Sequence, residues 1–171
     1  VMLLKNIILS ILMVGLVSSA HAKIIEIVSA GGNDADIASN ADANWSFIAQ
    51  KDHTGKVSGQ FQDIFKDPNG GTYNGAVHGI ITCMVVDPVT KRAWLGGVIT
   101  KGYDNPRYNV GDQFQISVQD VGKSRKDLPD LISFTRGVDV NVDPTFASKC
   151  GNKTLLPTHP MTDGQVTVMV K

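Results

Sequence analysis

The side chains able to do chemistry are few in this sequence and far apart. His53, His78 and His159 are the histidines beyond the N-terminal segment, and none stands two or four residues from another. No Cys-x-x-Cys occurs, so no local tetrahedral zinc set is written into the chain, and three unrelated histidines is the plainer reading. Oxygen ligands crowd residues 33–42 (Asn33, Asp34, Asp36, Asn40, Asp42). The central glycine and closing glutamate of an EF-hand loop are missing, so this stretch reads as an Asx-rich leader, not a calcium loop. No Gly-x-Ser-x-Gly elbow is present, and no serine has an evident base beside it. Asp120, Asp127 and Asp130 are close in sequence. A glycosidase needs two carboxylates facing across a groove, but aspartates flanking a loop commonly cap turns. The best remaining seat for polar chemistry is His78 with Thr82, on one face of the most apolar strand pattern. The expectation is no metal, no cofactor and no assigned catalytic residue, with His78 and Thr82 as candidate ligand-binding positions.

The elements that would position these residues are strands. Trp45, Phe47 and Ala49 share one face, and Val57, Gly59, Phe61, Asp63 and Phe65 alternate with polar neighbours after a turn at Gly55. Ala76 to Val86 is the longest apolar strand. One face carries Val77, Gly79, Ile81, Cys83 and Val85, and the other carries His78, Ile80, Thr82, Met84 and Val86. Both faces look covered, which predicts a central strand. Asp87-Pro88 ends it. Ala93 to Thr100 follows, with Gly96-Gly97 marking a bulge, a bend or the close approach of another backbone. Phe114, Ile116 and Val118 alternate with Gln113, Gln115, Ser117 and Gln119 as a half-buried strand. Leu131 to Arg136 and Val166 to Val170 give two more. Residues 138–160 carry Asp-Pro, Leu-Pro and His-Pro breakers and read as irregular. Seven to eight short strands without a helical period predict an all-β domain, a single antiparallel β-sandwich or small β-barrel.

The first 22 residues are of a different kind. Lys5 supplies a positive start, Ile7 to Val17 is apolar apart from Ser10 and Gly15, and Ala20-His21-Ala22 places small residues where a signal peptidase reads. The apolar run falls short of the about 20 residues a bilayer requires. The division expected is therefore a signal peptide over 1–22, a leader or loop over 23–43 and a β-domain over 44–171, secreted or periplasmic. Val1 ahead of Met2 reads as an alternative start codon and hints at a bacterial source. Without residues 1–22 the remaining 149 residues carry fifteen basic and sixteen acidic side chains, a net charge of −1. No basic stripe recommends a nucleic-acid partner, and no second apolar run predicts a membrane anchor after signal cleavage. Aromatic content is 6%, low for a carbohydrate groove of stacked rings.

Cys83 and Cys150 are the two cysteines, so one pairing is possible. Two buried thiols remain the alternative, but an even count in an exported chain favours a disulfide. The long loop it closes corresponds to about 4 kcal/mol in the chain-entropy view.

From Trp45 onward the chain resembles a family of uncharacterised secreted bacterial β-domains. The residues that carry the resemblance are Val77-His78-Gly79-Ile80-Ile81-Thr82-Cys83, Ala93-Trp94-Leu95-Gly96-Gly97-Val98-Ile99, Val118-Gln119-Asp120-Val121-Gly122, Asp130-Leu131-Ile132-Ser133-Phe134 and Gly164-Gln165-Val166-Thr167-Val168. Two places depart from the family pattern. Asp87 to Lys91 stands where a Gly-Asn turn is expected, and Arg107 to Gly111 is a longer entry into the next strand. The resemblance implies a β-domain and no assigned activity. Two function classes follow from the whole reading: a non-enzymatic module binding a partner, surface or small ligand, or a small-barrel isomerase or cyclase using His78 and Thr82.

Overall fold

The computed structural model describes residues 22–36, 41–66, 75–102, 108–122, 128–133, 135–154 and 156–171. Ten strands form one antiparallel sheet: β1 (Ile24–Asp36), β2 (Ala41–Asp52), β3 (Val57–Lys66), β4 (Gly75–Asp87), β5 (Arg92–Lys101), β6 (Gln113–Gln119), β7 (Leu131–Ser133), β8 (Arg136–Val138), β9 (Thr158–Pro160) and β10 (Asp163–Val170). The order is β10-β1-β2-β3-β4-β5-β6-β7-β9, with β8 pairing β6 beside β7. The sheet curls around one core, so the all-β, antiparallel expectation holds and the strand number rises from seven or eight to ten. One reason is that the Leu131–Arg136 segment divides into β7 and β8, both on β6.

The larger correction is at the N-terminal end. Residues 23–43, expected as a leader, contain β1 and the start of β2. β1 pairs β10 on one side and β2 on the other. Its small residues are a packing requirement. A Cβ on Gly32 would lie 2.2 Å from the Asp163 carbonyl oxygen and 2.8 Å from the Met161 methyl carbon, and Gly32 faces Trp45 across the ladder. Small polar composition here marks crowding by neighbouring strands, which composition alone presents as loop.

The concave face holds the core: Val28, Trp45, Phe47, Ala49, Phe61, Val77, Ile81, Met84, Leu95, Ile99, Phe114, Ile116, Val118, Val166 and Val168. Phe61 and Phe114 stack with centroids 4.8 Å apart. The Phe114 ring occupies the space two glycines leave: a Cβ on Gly79 or Gly97 would come within 2.6 Å of it. A register shift between Ile81 and Cys83 makes Thr82 the extra residue of a bulge. Because side chains alternate with period two, that one residue reverses the faces beyond it. Met84 therefore joins the core, while Cys83 turns to the convex side. The strict alternation read from the sequence had placed Cys83 with Val77 and Ile81.

On the convex side a strap, residues 139–154, crosses β4, β5 and β6. It contains one 3-10 segment, Ala147–Asn152. Cys83 and Cys150 are joined by a disulfide with Cα atoms 6.2 Å apart. Gly96 admits the strap, since a Cβ there would lie 2.1 Å from the Ala147 carbonyl oxygen. Gln113 donates from its amide to the Pro144 carbonyl and accepts from the Ala147 amide, and Gln115 donates to the Phe146 carbonyl. The strap's backbone is thereby satisfied without a strand partner. β6 is buried on both faces: Gln113 and Gln115, expected at solvent, are buried against the strap, and Ser117, opposite Trp94, is buried too.

Candidate functional site

His78 and Thr82 lie on the convex side of β4. Their neighbours in sequence, Val77 and Ile81, fill the concave core. His78 is half-buried and stands in register between Gln62 of β3 and Lys101 of β5. Its carbonyl accepts the Thr100 hydroxyl at 3.3 Å. Thr82 is exposed at the bulge. With exposed Ile80 between them, the two belong to the convex surface of β4.

The loop carboxylates belong to the architecture. Asp130 is buried, and each of its oxygens takes a backbone amide: Val121 N–H at 2.8 Å and Val166 N–H at 2.7 Å. The Asp130 carbonyl accepts Met161 N–H at 2.9 Å. Asp120 accepts the Val168 amide at 3.4 Å and stands 3.5 Å from the Lys91 ammonium. Val166 and Val168 point these amides away from β1, so the two aspartates fasten the outer edge of β10 to the segment following β6. Asp127 lies outside the described residues. Asp112 does similar work, taking the Asn109 amide at 2.8 Å and the Val140 amide at 3.3 Å.

Three further aspartates are held below the ordinary carboxyl value of 3.8. For Asp52 the chief cause is the Thr54 hydroxyl, 2.6 Å away, with the Thr54 and Lys56 amides adding to it. For Asp87 it is Thr90, followed by the Val89 amide. For Asp143 it is the Lys149 ammonium at 2.6 Å, followed by Thr145. Each keeps its charge near neutral pH for a local structural reason: the first two hold β-turns, and the third opens the strap.

Among the described residues, no group of three or more His, Cys, Asp or Glu side chains could hold a metal ion. His53 is exposed in the β2–β3 turn and His159 is half-buried in β9, so the fold leaves the histidines separate. No protein family, curated protein or solved structure matches this chain.

The polar positions that sequence reasoning passed over are on β5 and β6. On the convex face of β5, Arg92 and Trp94 are successive side chains, and Gln119 and Ser117 stand opposite them on β6. Arg92 Nη2 donates to Gln119 Oε1 at 2.6 Å, and Gln119 donates to the Thr90 carbonyl at 3.1 Å. Lys153, at the end of the strap, holds its ammonium 5.8 Å from the Trp94 ring centroid. On the concave face, Asp63 lies between Phe61 and Phe65 and accepts the Thr135 hydroxyl at 3.1 Å, while Tyr108 donates to the Thr135 carbonyl at 2.9 Å. The alternation of β3 had placed Asp63 on the Phe61 face, but nothing local indicated Thr135, 72 residues away.

Proposed function

We propose that this chain is an exported, non-catalytic β-domain that binds a partner or small ligand, related to the uncharacterised secreted β-domains its motifs resemble. One observation carries the reading. The concave face, where a barrel enzyme would keep its substrate, is packed by Phe61, Phe114, Ile81 and their neighbours, with His78 and Thr82 on the opposite side. The Asp52, Asp112 and Asp130 carboxylates and the Gln113 and Gln115 amides are engaged with backbone groups, which suits a scaffold more than a reaction centre. The Cys83–Cys150 disulfide favours a non-reducing compartment and so supports export.

The test is a substrate panel of esters, peptides, glycosides and phosphates, with and without divalent metal, run on the disulfide-bonded chain. No turnover is expected, and a non-covalent adduct should survive purification from the native host in intact-mass spectra. Turnover that disappears in His78→Ala would overturn the reading and move the site to the convex face of β4.

A further inference from the structure

Buried polar atoms in a folded protein nearly always have a partner, so those that lack one point to a missing water, ion or ligand. Among the described residues, three such atoms, Arg92 Nε, Trp94 Nε1 and Ser117 Oγ, belong to residues that are neighbours in the β5–β6 ladder. Arg92 and Trp94 are two apart on one strand face, which separates their Cα atoms by about 7 Å. Ser117 is Trp94's cross-strand partner on β6, with Cβ atoms about 5 Å apart. Ser117 is wholly buried and Trp94 is 7% exposed. We propose that the convex face of β5–β6 carries a binding site for a small oxyanion, held by Arg92 Nε, Trp94 Nε1 and Ser117 Oγ under the ammonium of Lys153.

The sign of the ligand follows from the donor inventory. Arginine, lysine and the indole N–H have donors and no acceptor, and the serine hydroxyl can donate as well. The acceptors nearby are already engaged. Asp87, opposite Arg92 in register, receives the Val89 and Thr90 amides at 2.9 and 3.3 Å on one oxygen and is drawn toward Lys153. Gln119 Oε1 is occupied by Arg92 Nη2. Asp120 is drawn to Lys91 and Val168. With Lys91 set against Asp120 and Lys153 against Asp87, the charge left over is that of Arg92, and the unpaired atoms are donors. The Arg92 side chain is fixed by Gln119 with Nε left over, a pre-oriented donor of the kind that suits carboxylate or phosphate oxygens. Lys91 and Lys153 both adopt left-handed backbone, φ 51° and 52°, at places where glycine would sit without strain. Lys91 is drawn to Asp120, and Lys153 sets a cation at the rim of the patch. Lys153 is exposed, so the route in lies past it.

The proposal names the ligand chemistry of the binding domain proposed above and rests on that reading only for its biological use. The experiment is a titration of the 15N-labelled, disulfide-intact chain with sodium phosphate and, separately, sodium acetate, with sodium chloride holding ionic strength constant. The chain has two tryptophans, so two indole N–H signals are read, and Trp94→Phe assigns them by deleting one. The Trp94 signal should move saturably in at least one arm while that of Trp45, in the core, stays fixed. The arm that saturates tells phosphate from carboxylate. Arg92→Gln should weaken binding about tenfold, the effect of one charge-assisted hydrogen bond. Lys153→Ala should weaken it about two- to fivefold. An unmoved Trp45 signal certifies the fold of each variant. If Arg92→Gln disturbs it, Lys153→Ala decides, since that side chain is at the surface. Linear or absent shifts in both arms, or affinity unchanged in the deciding variant, overturn the site. Such a failure leaves the binding-domain reading standing, because the substrate panel tests that separately.

Discussion

Asp130 fills both of its oxygens with backbone amides from two distant segments, and a carboxylate is the one side chain of its size that can accept at both ends. Asp130→Asn turns one acceptor into an NH2 facing an N–H. The expected loss is about 2 kcal/mol, the penalty of a buried amide left without its acceptor. Asp120→Asn should cost less than about 1 kcal/mol, because its bond to Val168 is long and its lysine partner is largely exposed. Urea midpoints for the two variants test the ranking, and equal effects would contradict the fastening role. Acid stability is also decided residue by residue. Asp52, Asp87 and Asp143 have folded values lowered from 3.8 by Thr54, Thr90 and Lys149 respectively. A lowered folded value means that the unfolded chain binds the proton first, so their stabilisation is complete above the unfolded value of about 3.9. It is then lost as pH falls through the folded values. Urea midpoints should stay level from pH 7 to about 5 and decline below about 4. The decline should be shallower in the triple variant Asp52→Asn, Asp87→Asn, Asp143→Asn, and an identical slope would show that other groups control it.

At the scale of elements, the strap over β4–β6 is held by three different devices: the disulfide, the Gln113 and Gln115 side chains, and the flat surface at Gly96. Gly96→Ala would force a methyl against the Ala147 carbonyl and should destabilise by about 1–3 kcal/mol, with the loss concentrated in the strap. Cys150→Ser should raise amide hydrogen exchange in residues 139–154 well before it does so in β2 or β3. Uniform acceleration across the sheet would mean that strap and sheet unfold as one unit. These elements also divide what the sequence could say from what it could not. β2, β3, β5 and β10 were legible because one face of each is core, and a buried face writes period two into the chain. β1 was not, because its inward positions include the small residues Ala30 and Gly32, the latter crowded by Met161 and the β10 backbone. The reversal of Cys83 and Met84 was hidden by a single bulged threonine. Gln113 and Gln115 carried the pattern of a wetted face and are buried because the strap, more than twenty residues on, bonds across them. The Arg92–Trp94–Ser117 group was invisible for the same reason: its members converge through strand register, which a linear pattern does not contain.

Across the whole molecule, the N-terminal strand is also where the proposed export bears on folding. Two small-residue sites could be read by a signal peptidase: after Ala22, and after Ala30 in Val28-Ser29-Ala30. The fold separates them. Cleavage after Ala22 leaves Lys23 exposed and preserves all of β1, which starts at Ile24. Cleavage after Ala30 removes Val28, which is 0% exposed in the core, and with it the Glu26 partner of Lys51. It also strips the β1–β10 ladder of five of its eight paired positions, Glu26 to Ala30, leaving the edges of β2 and β10 open over that length. Burying a valine is worth about 1.5–3 kcal/mol, a large part of the 5–15 kcal/mol that holds a typical domain together, before the lost ladder is considered. Exposed strand edges would add a route to aggregation. If the chain is exported as proposed, N-terminal sequencing of the mature protein should therefore begin at Lys23. A chain made to start at Gly31 should express in insoluble form or unfold at much lower urea than one starting at Lys23. Equal stability of the two would mean that β1 is dispensable, and the sheet would then have to be reckoned from β2.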